Sequence, residues 1–439
     1  MIEPATFAVL LFVILIILIL IGVPIFIALG FSALIGMLMI GKNPVLLVQQ
    51  MYAAFDVYSY LAIFLFISMG VLMRESKIAS DLVYFVDKLI GRRIPGALGI
   101  TTIIASAFFG ALTGATSGTV AAIGSIMIPE MKKRGYPATH AASLTATAGI
   151  LGQLVPPSIS AVIFGLVMNT SISTLFAALL GVAIITTTLL VVVTIIYHVR
   201  LQKRNPTAML IKRPPEKIEY RANILNAFFA GIIIFIVLGG IYSGVFTPTE
   251  AGGIGASFAV LLGLFVTKEF RKPKKLLKAL LESMKMTSAI MLLISTSYAF
   301  SYIITYTRAP ALLANSILNF THNKYVILLI VSLFLIFLGC FIEGNTIIVL
   351  TAPILWRLLE PFGIHIIQLG VLSVMAVLVG VLTPPLAVNL YIASELAGVS
   401  IDQLGRDLVP YLLVAIFVLI IVALIPEASL YLPKLLGLI

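Results

Sequence analysis

Apolar runs of about twenty residues, the length a helix needs to cross a bilayer, follow one another along almost the whole chain. The first half predicts spans near 5–22, 24–41 and 57–74, then a basic amphipathic stretch through Arg93. An apolar segment at 97–131 is interrupted by T-G-A-T-S-G at 113–118. A long helix at 138–168 is broken at 149–158, and a span covers 173–198. The second half repeats this order, with spans near 222–240, 250–267 and 284–305 and a short stretch around 309–320. An apolar segment at 325–358 is interrupted by E-G-N-T at 343–346, a helix at 366–397 is broken at 380–385, and a span near 408–432 ends the series.

The two breaks carry matching proline doublets, G-I-L-G-Q-L-V-P-P-S at 149–158 and G-V-L-T-P-P-L at 380–386. Proline has no amide hydrogen to donate and its ring clashes with the preceding turn, so each doublet unwinds its helix. Unwound backbone at membrane depth is tolerated only where protein buries it or it lines a polar cavity. One doublet alone reads as a kink, and one small-residue pattern as helix packing. Two doublets paired with two small-polar interruptions point to the binding site of a transporter. F-F-G at 108–110 matches F-L-G at 337–339, and Arg74 falls near Arg308, so the chain reads as an internal duplication. Its parts are a first repeat over 1–200, a linker at 201–221 and a second repeat over 222–439.

Composition agrees: 61% of residues are hydrophobic and 10% charged, which excludes a soluble protein. A single cysteine, Cys340, excludes an intrachain disulfide, and the four scattered histidines lack metal-ligand spacing. The net charge of +11 lies between spans with no nucleic-acid-binding motif, so no nucleic-acid partner is expected. The first span, with no basic leader or cleavage site, reads as a retained helix.

The basic residues set the topology. If 97–131 crosses the membrane, each half crosses six times and the copies are parallel. If it is a re-entrant hairpin, each half crosses five times and the second copy is inverted. With hairpins, the segments 74–93, 132–134, 199–221 and 268–285 and Arg406 share one side and hold 23 of the 28 Lys and Arg residues. Lys42, Arg308, Lys324, Arg357 and Lys434 are left on the other. That asymmetry favours hairpins, with the linker cytoplasmic and both termini periplasmic. The fold class expected is an all-α polytopic membrane protein, an inverted repeat of two five-span halves with two re-entrant helical hairpins and two broken helices.

Each interruption exposes carbonyls at the end of one half-helix, which suit a cation, and amides at the start of the next, which suit an anion. Thr113, Gly114, Thr116 and Ser117 facing Gly149, Gly152 and Val155 make one oxygen-lined site. Glu343, Gly344, Asn345 and Thr346 facing Gly380, Leu382 and Thr383 make its copy. Backbone carbonyls and hydroxyls fit sodium, a hard cation. No arginine lies in either break, so an acidic substrate meets helix N-termini with Ser117, Ser158, Asn345 and Asn389. Glu343 is the one acid near a break, and an intramembrane acid is a functional candidate, although it also suits the mouth of the hairpin.

These segments resemble the large (M) membrane subunit of tripartite ATP-independent periplasmic (TRAP) transporters. The resemblance rests on F-G-A-L-T-G-A-T-S-G-T-V-A-A-I-G at 109–124, I-P-E-M-K-K-R-G-Y at 128–136 and A-G-I-L-G-Q-L-V-P-P-S at 148–158. F-T-P-T-E-A-G at 246–252 and G-V-L-T-P-P at 380–385 complete the set. It implies sodium-coupled uptake of an organic acid (a C4-dicarboxylate, sialic acid or a related carboxylate) across the inner membrane by an elevator-type symport mechanism. It also implies two partners, a small four-helix Q membrane subunit and a periplasmic substrate-binding P protein, with sodium at the hairpins and broken helices. The chain departs from the family at the first tip, where Thr113-Gly114-Ala115 stands in place of a frequent Ser-Gly-Ser, and at Ala387, where a glycine is common after the second proline doublet.

The chain has no G-x-x-x-x-G-K-[ST] nucleotide loop, so ion gradients are the expected energy source. A standalone sodium/dicarboxylate or citrate carrier is the nearest alternative. A passive channel fits two ion-site-like breaks less well, and an intramembrane enzyme would need a catalytic pair that the sequence lacks. Thiol labelling of Lys434→Cys and Arg213→Cys, after replacement of Cys340, is expected to modify the two from opposite sides of the membrane; modification from one side would refute the inverted arrangement.

Overall fold

The structure, a computed structural model, describes residues 4–55, 58–76, 78–90, 95–204, 224–306, 321, 323–340, 342, 344–384 and 387–439, and its regular elements are helices. The first half opens with α1 (Pro4–Leu20), α2 (Ile25–Met39), α3 (Val45–Ala53), α4 (Leu61–Glu75) and α5 (Ile78–Ile90). It continues with α6 (Ala97–Thr113), α7 (Thr116–Lys133), α8 (Ala138–Ala148), the single turn α9 (Leu151–Leu154), α10 (Ile159–Val167) and α11 (Ile172–Arg204). The second half has α12 (Ile224–Tyr242), α13 (Pro248–Leu261), α14 (Pro273–Tyr306), α15 (Lys324–Gly339) and α16 (Gly344–Leu359). It ends with α17 (Ile366–Gly380), α18 (Val388–Ala397), α19 (Ile401–Leu424) and α20 (Glu427–Leu435). Five described helices are long and apolar enough to cross a membrane, six if the pair bent by 42° between Leu154 and Ile159 forms one span.

Local chemistry accounts for several boundaries. The T-P-T-E-A motif is a helix start: Thr247 Oγ1 accepts from the Glu250 amide at 3.3 Å, and Glu250 Oε2 accepts from the Thr247 amide at 2.8 Å. Pro248 occupies the first turn of α13, where a missing amide hydrogen costs nothing. α5 is amphipathic as expected, with Ile78, Leu82 and Val86 buried and Leu89 exposed. Its Asp81 is buried and accepts from Asn226 Nδ2 of α12 at 2.7 Å.

Two expected boundaries need correction. The basic segment 268–285 is not a loop throughout, because α14 begins at Pro273 and runs for 34 residues. Leu276, Leu277, Ala279 and Leu280 recur at helical spacing between the lysines, so the helix continues through them. At 1.5 Å per residue it is about 51 Å long, well beyond a hydrocarbon core of about 30 Å. The last span is also shifted, from 408–432 to α19 at Ile401–Leu424. A Ser400–Gln403 capping box starts it early. Pro426 forces extended backbone on Ile425 (φ −117°, ψ 94°) and separates α20. The short stretch at 309–320 and most of the linker at 201–221 lie outside the described residues, although α11 reaches Arg204.

The helices pack as two groups. In the first, α4 lies on α13 and α14, α2 on α14, α1 on α2, and α12 on α13. Arg74 of α4 reaches Glu282 of α14 at 2.7 Å across this group. In the second, α7 packs on α8 and α18, while α16 packs on α17 and α10. Likewise α6 packs on α11, and α15 on α19. Every contact in this second set has its counterpart in the other half, so the halves exchange their broken helices reciprocally. α4 bridges the groups through α6 and α10, and α14 does so through α16.

Two close backbone approaches between helices are glycine on glycine. A Cβ on Gly110 of α6 would lie 2.6 Å from the Gly152 Cα, and one on Gly380 would lie 2.6 Å from the Gly339 Cα. Lipid supplies no hydrophobic drive to press helices together, so small residues that let backbones touch carry much of the packing. The neighbours are backbone and cannot move aside as a side chain does. Gly380→Ala is therefore expected to destabilise by about 1–3 kcal/mol, the usual cost of overpacking. Gly231→Ala, with nothing within 4 Å of the added carbon, is expected to be neutral or stabilising by up to about 1 kcal/mol. Thermal unfolding in detergent checks both signs.

Candidate ion and substrate site

At the first tip, α6 and α7 are joined by two residues. Gly114 takes the left-handed conformation (φ +62°) and Ala115 is extended. A Cβ on Gly114 would lie 2.9 Å from the Pro157 carbonyl oxygen, so the tip rests on the break between α9 and α10. Gly152 lies equally close from the other side, and a Cβ there would overlap the Ala115 carbonyl and sit 2.6 Å from Thr119 Oγ1. The interruption is thus narrower than 113–118, because Thr116 already begins α7. Pro156 and Pro157 sit just before α10, whose N-cap is Ser158; its Oγ accepts from the Ala161 amide at 3.4 Å.

The oxygen lone pairs at this tip outnumber the protons that bind them. Thr113 Oγ1 lies 3.2 Å from the Phe109 carbonyl oxygen and 3.2 Å from Thr119 Oγ1, which is itself 2.8 Å from the Ala115 carbonyl oxygen. Two hydroxyl protons and the Thr119 amide, which also donates to the Ala115 carbonyl at 3.4 Å, serve four oxygens that each carry two lone pairs. A buried excess of acceptors is the donor set a hard cation needs, so these residues fit sodium. Gly70 of α4 backs the cluster, since a Cβ there would lie 2.7 Å from the Thr113 carbonyl oxygen.

The second tip has the same frame with different chemistry. Gly344 packs on Val377, and Gly380 lies against Gly339 and the Ile336 carbonyl. After Gly380 the chain makes single turns, Leu382 N to Val379 O at 3.2 Å and Thr383 N to Gly380 O at 2.9 Å. Thr383 Oγ1 donates to the Val379 carbonyl at 2.9 Å. Ala387 then adopts a left-handed conformation (φ +35°) before α18. That conformation explains why glycine would suit position 387 better than alanine does. Glu343 lies outside the described residues, as does Pro385.

Side chains from the two halves meet between these tips. Ser160 Oγ of α10 donates to Asn345 Oδ1 of α16 at 2.8 Å, and Asn389 Nδ2 of α18 donates to the Ala146 carbonyl of α8 at 3.2 Å. The Ile150 amide bonds the Thr147 carbonyl at 3.1 Å, one residue short of the α-helical partner. The Ala146 carbonyl is thereby released for Asn389. Thr346, Ser158 and Asn389 are buried, while Thr116 and Ser117 are half-buried.

The structure thus brings Thr113, Gly114 and Gly152 together at the first tip; at the second, Gly344 lies on Val377, one turn before Gly380, and Gly380 lies on Gly339. Gly149 is helical (φ −59°, ψ −24°); a Cβ on it would overlap Val120 and lie 3.4 Å from Asn389 Nδ2, and its carbonyl accepts from the Gly152 amide at 2.9 Å. Val155 is extended and half-buried, and Leu382 is buried within the second break. Sequence reasoning missed Thr119 and Ser160. Thr119 sits one turn beyond the interruption, where its hydroxyl folds back on the Ala115 carbonyl. Gly110 and Gly339 were legible as repeat markers, but their contact with the breaks was not.

A family profile described as tripartite ATP-independent periplasmic transporter, DctM component, matches residues 12–428. The chain belongs to this family. It is 34% identical over 417 residues to the C4-dicarboxylate TRAP transporter large permease protein DctM of Pseudomonas aeruginosa, covering 93% of this chain and 94% of that one. It is 31% identical to the sialic acid TRAP transporter large permease protein SiaM of Vibrio cholerae, covering 94% and 95% of the two chains. Identity to the isethionate TRAP transporter permease protein DctMQ of Oleidesulfovibrio alaskensis is 31%, over 94% of this chain and 64% of that longer one. Among solved structures, the fold resembles that of the Alcanivorax borkumensis YdaH transporter, with a TM-score of 0.59, 16% identity and coverage of 89% and 87%. This DctM-family chain is therefore a multi-pass membrane protein, one component of a tripartite ATP-independent periplasmic transporter.

Proposed function

We propose that the chain is the sodium-coupled permease of its transporter and imports an organic acid that a periplasmic P protein delivers, with a small four-helix Q subunit beside it in the inner membrane. The acceptor-rich cluster of Thr113, Thr119 and the Ala115 carbonyl against Gly152 carries this reading. Sodium held there would place a full positive charge beside the first turn of α7. Ala115, its N-cap residue, makes no side-chain bond to that turn, so the free amides add partial positive charge. The second tip, with Thr383, Thr346 and the carbonyls after Gly380, supplies the other ion site. The acid is an organic carboxylate or sulfonate of the class named for the relatives: C4-dicarboxylate, sialic acid or isethionate.

The reciprocal contacts between halves support an inverted repeat, and the two packing groups support an elevator mechanism. In that mechanism the group holding both tips and both broken helices moves as a body against the group centred on α4 and α14. The junction between the two groups is made by α4, α5, α12 and α14.

Uptake into proteoliposomes is expected to require an inward sodium gradient, the Q subunit and a loaded P protein, and to proceed without ATP. Thr113→Ala and Thr383→Ala are each expected to raise the half-saturating sodium concentration by about ten-fold, the equivalent of about 1.4 kcal/mol for one lost oxygen ligand. Equal uptake with potassium in place of sodium would refute the ion. Uptake of free substrate by the isolated chain would instead favour a standalone carrier.

A further inference from the structure

The long helix α14 carries a surface that neither tip uses. With its expected span at 284–305 in the hydrocarbon, the turns from Pro273 to Ser283 project about 16 Å beyond the core. The Arg74–Glu282 ion pair marks the same level, because Arg74 lies in the last turn of α4. One face of this extension is packed, with Ala279 and Ser283 buried. On the other, Leu277, Leu281 and Met284 recur at helical spacing and are 57%, 48% and 54% exposed. Beside them Lys274, Lys278 and Lys285 form a second exposed row, about 16 Å long. The neighbouring acids are engaged elsewhere: Glu282 pairs with Arg74 at 2.7 Å and Glu269 with Lys275 at 2.8 Å. None of the three lysines pairs with an acid among the described residues. In the first repeat the helix before α4 is α3, which has no basic residue, so the row belongs to one side of the membrane.

An exposed apolar row is unfavourable in water, and a row of lysines is more so in hydrocarbon. Side by side at the edge of the core, the two rows fit the boundary between acyl chains and charged headgroups. Lysine stems lie along the apolar row while their ammonium groups reach outward. A protein partner fits less well, because the centres of protein interfaces are depleted of lysine. A phosphate, by contrast, is bound by lysine as a point charge. We propose that this face of α14 binds anionic phospholipid of the leaflet on the linker side, the cytoplasmic one in the expected topology. Lys274, Lys278 and Lys285 take the phosphate groups, and Leu277, Leu281 and Met284 take the upper acyl chains. The seven basic residues of 268–285 thus do more than set topology: those on α14 that no acid neutralises hold lipid. α14 lies in the group against which the tips move in the elevator reading, so bound lipid fastens that group. The lipid site itself does not depend on that reading.

The test uses the chain with its Q subunit in phosphatidylcholine vesicles. A fluorophore is attached at Met284→Cys in a Cys340→Ser background. Acyl-brominated phosphatidylglycerol or acyl-brominated phosphatidylcholine is then included at equal mole fraction as a contact quencher. Both are expected to quench, with phosphatidylglycerol preferred about five-fold or more, since each basic residue near anionic headgroups is worth about that factor. Joint replacement by Lys274→Gln, Lys278→Gln and Lys285→Gln is expected to bring the two lipids within about two-fold of each other. The same three positions changed to arginine are expected to keep the preference. Lys42→Gln, Lys324→Gln and Lys434→Gln, on the other expected side, are expected to leave it unchanged. Equal quenching by the two lipids, or a preference that survives the glutamine changes, would overturn the proposal. Quenching by neither lipid would show that protein covers the face and would overturn it as well. No outcome involves the driving ion or the carried acid, so failure here leaves the permease reading intact and failure of that reading leaves the lipid site intact.

Discussion

A peptide group inside hydrocarbon has no water to pair with, and each broken segment of this chain is arranged around that constraint. Every unwinding that frees a carbonyl or an amide has to be matched by a side chain, a tightened turn or another backbone. At the first tip the Thr119 hydroxyl takes up the Ala115 carbonyl. In the breaks, single turns at Gly149–Gly152 and at Gly380–Thr383 replace the lost helical bonds. Where one turn tightens and releases the Ala146 carbonyl, Asn389 crosses from the other half to take it. The same repairs gather polar atoms around the breaks, so the remedy for broken helices also assembles the candidate site.

The glycine crossings belong to the same logic. Gly110 on Gly152 and Gly339 on Gly380 bring each hairpin against its broken helix with no side chain between them. The first contact lies one turn before the Thr113–Gly114 tip, and the second holds the start of the 380–387 break. Close backbone contact keeps water and lipid away from the unwound peptide groups, which keeps their electrostatic interactions strong. The offset of 229 residues between Gly110 and Gly339 is the offset of the F-F-G and F-L-G markers. The repeat is preserved most clearly where backbones touch.

Much of this was legible in the sequence because it depends on backbone chemistry. Prolines, glycines and runs of leucine and isoleucine report where helices start, stop and break, and both hairpins and both breaks fall where those residues place them. What depends on side-chain reach was harder to read. Thr119 and Ser160 look like ordinary helix residues, and only the packing of α7 on α6 and of α10 on α16 shows which oxygens they meet. The 268–285 segment misled for a related reason. Its lysines suggested a loop, yet leucines at helical spacing between them carry α14 to Pro273, with long apolar lysine stems able to lie along the helix surface.

Neither break contains a lysine or an arginine, and this has a consequence for coupling. An anion moved into such a site leaves bulk water without meeting a fixed cation, which costs several kcal/mol unless something compensates. Helix N-termini offer about half a charge each at best, and that attraction fades within a turn. A sodium ion in the acceptor-rich cluster of Thr113, Thr119 and Ala115 would supply the missing charge. The cluster itself holds more acceptors than protons, so it gains from the cation in turn. Each ligand thereby improves the site for the other, and reciprocity of binding energies requires the two enhancements to be equal. A buried arginine would have satisfied the anion permanently and removed the need for the ion. On the proposed function, coupling would follow from what the site lacks: with no lysine or arginine in either break, sodium would supply the charge that the anion needs.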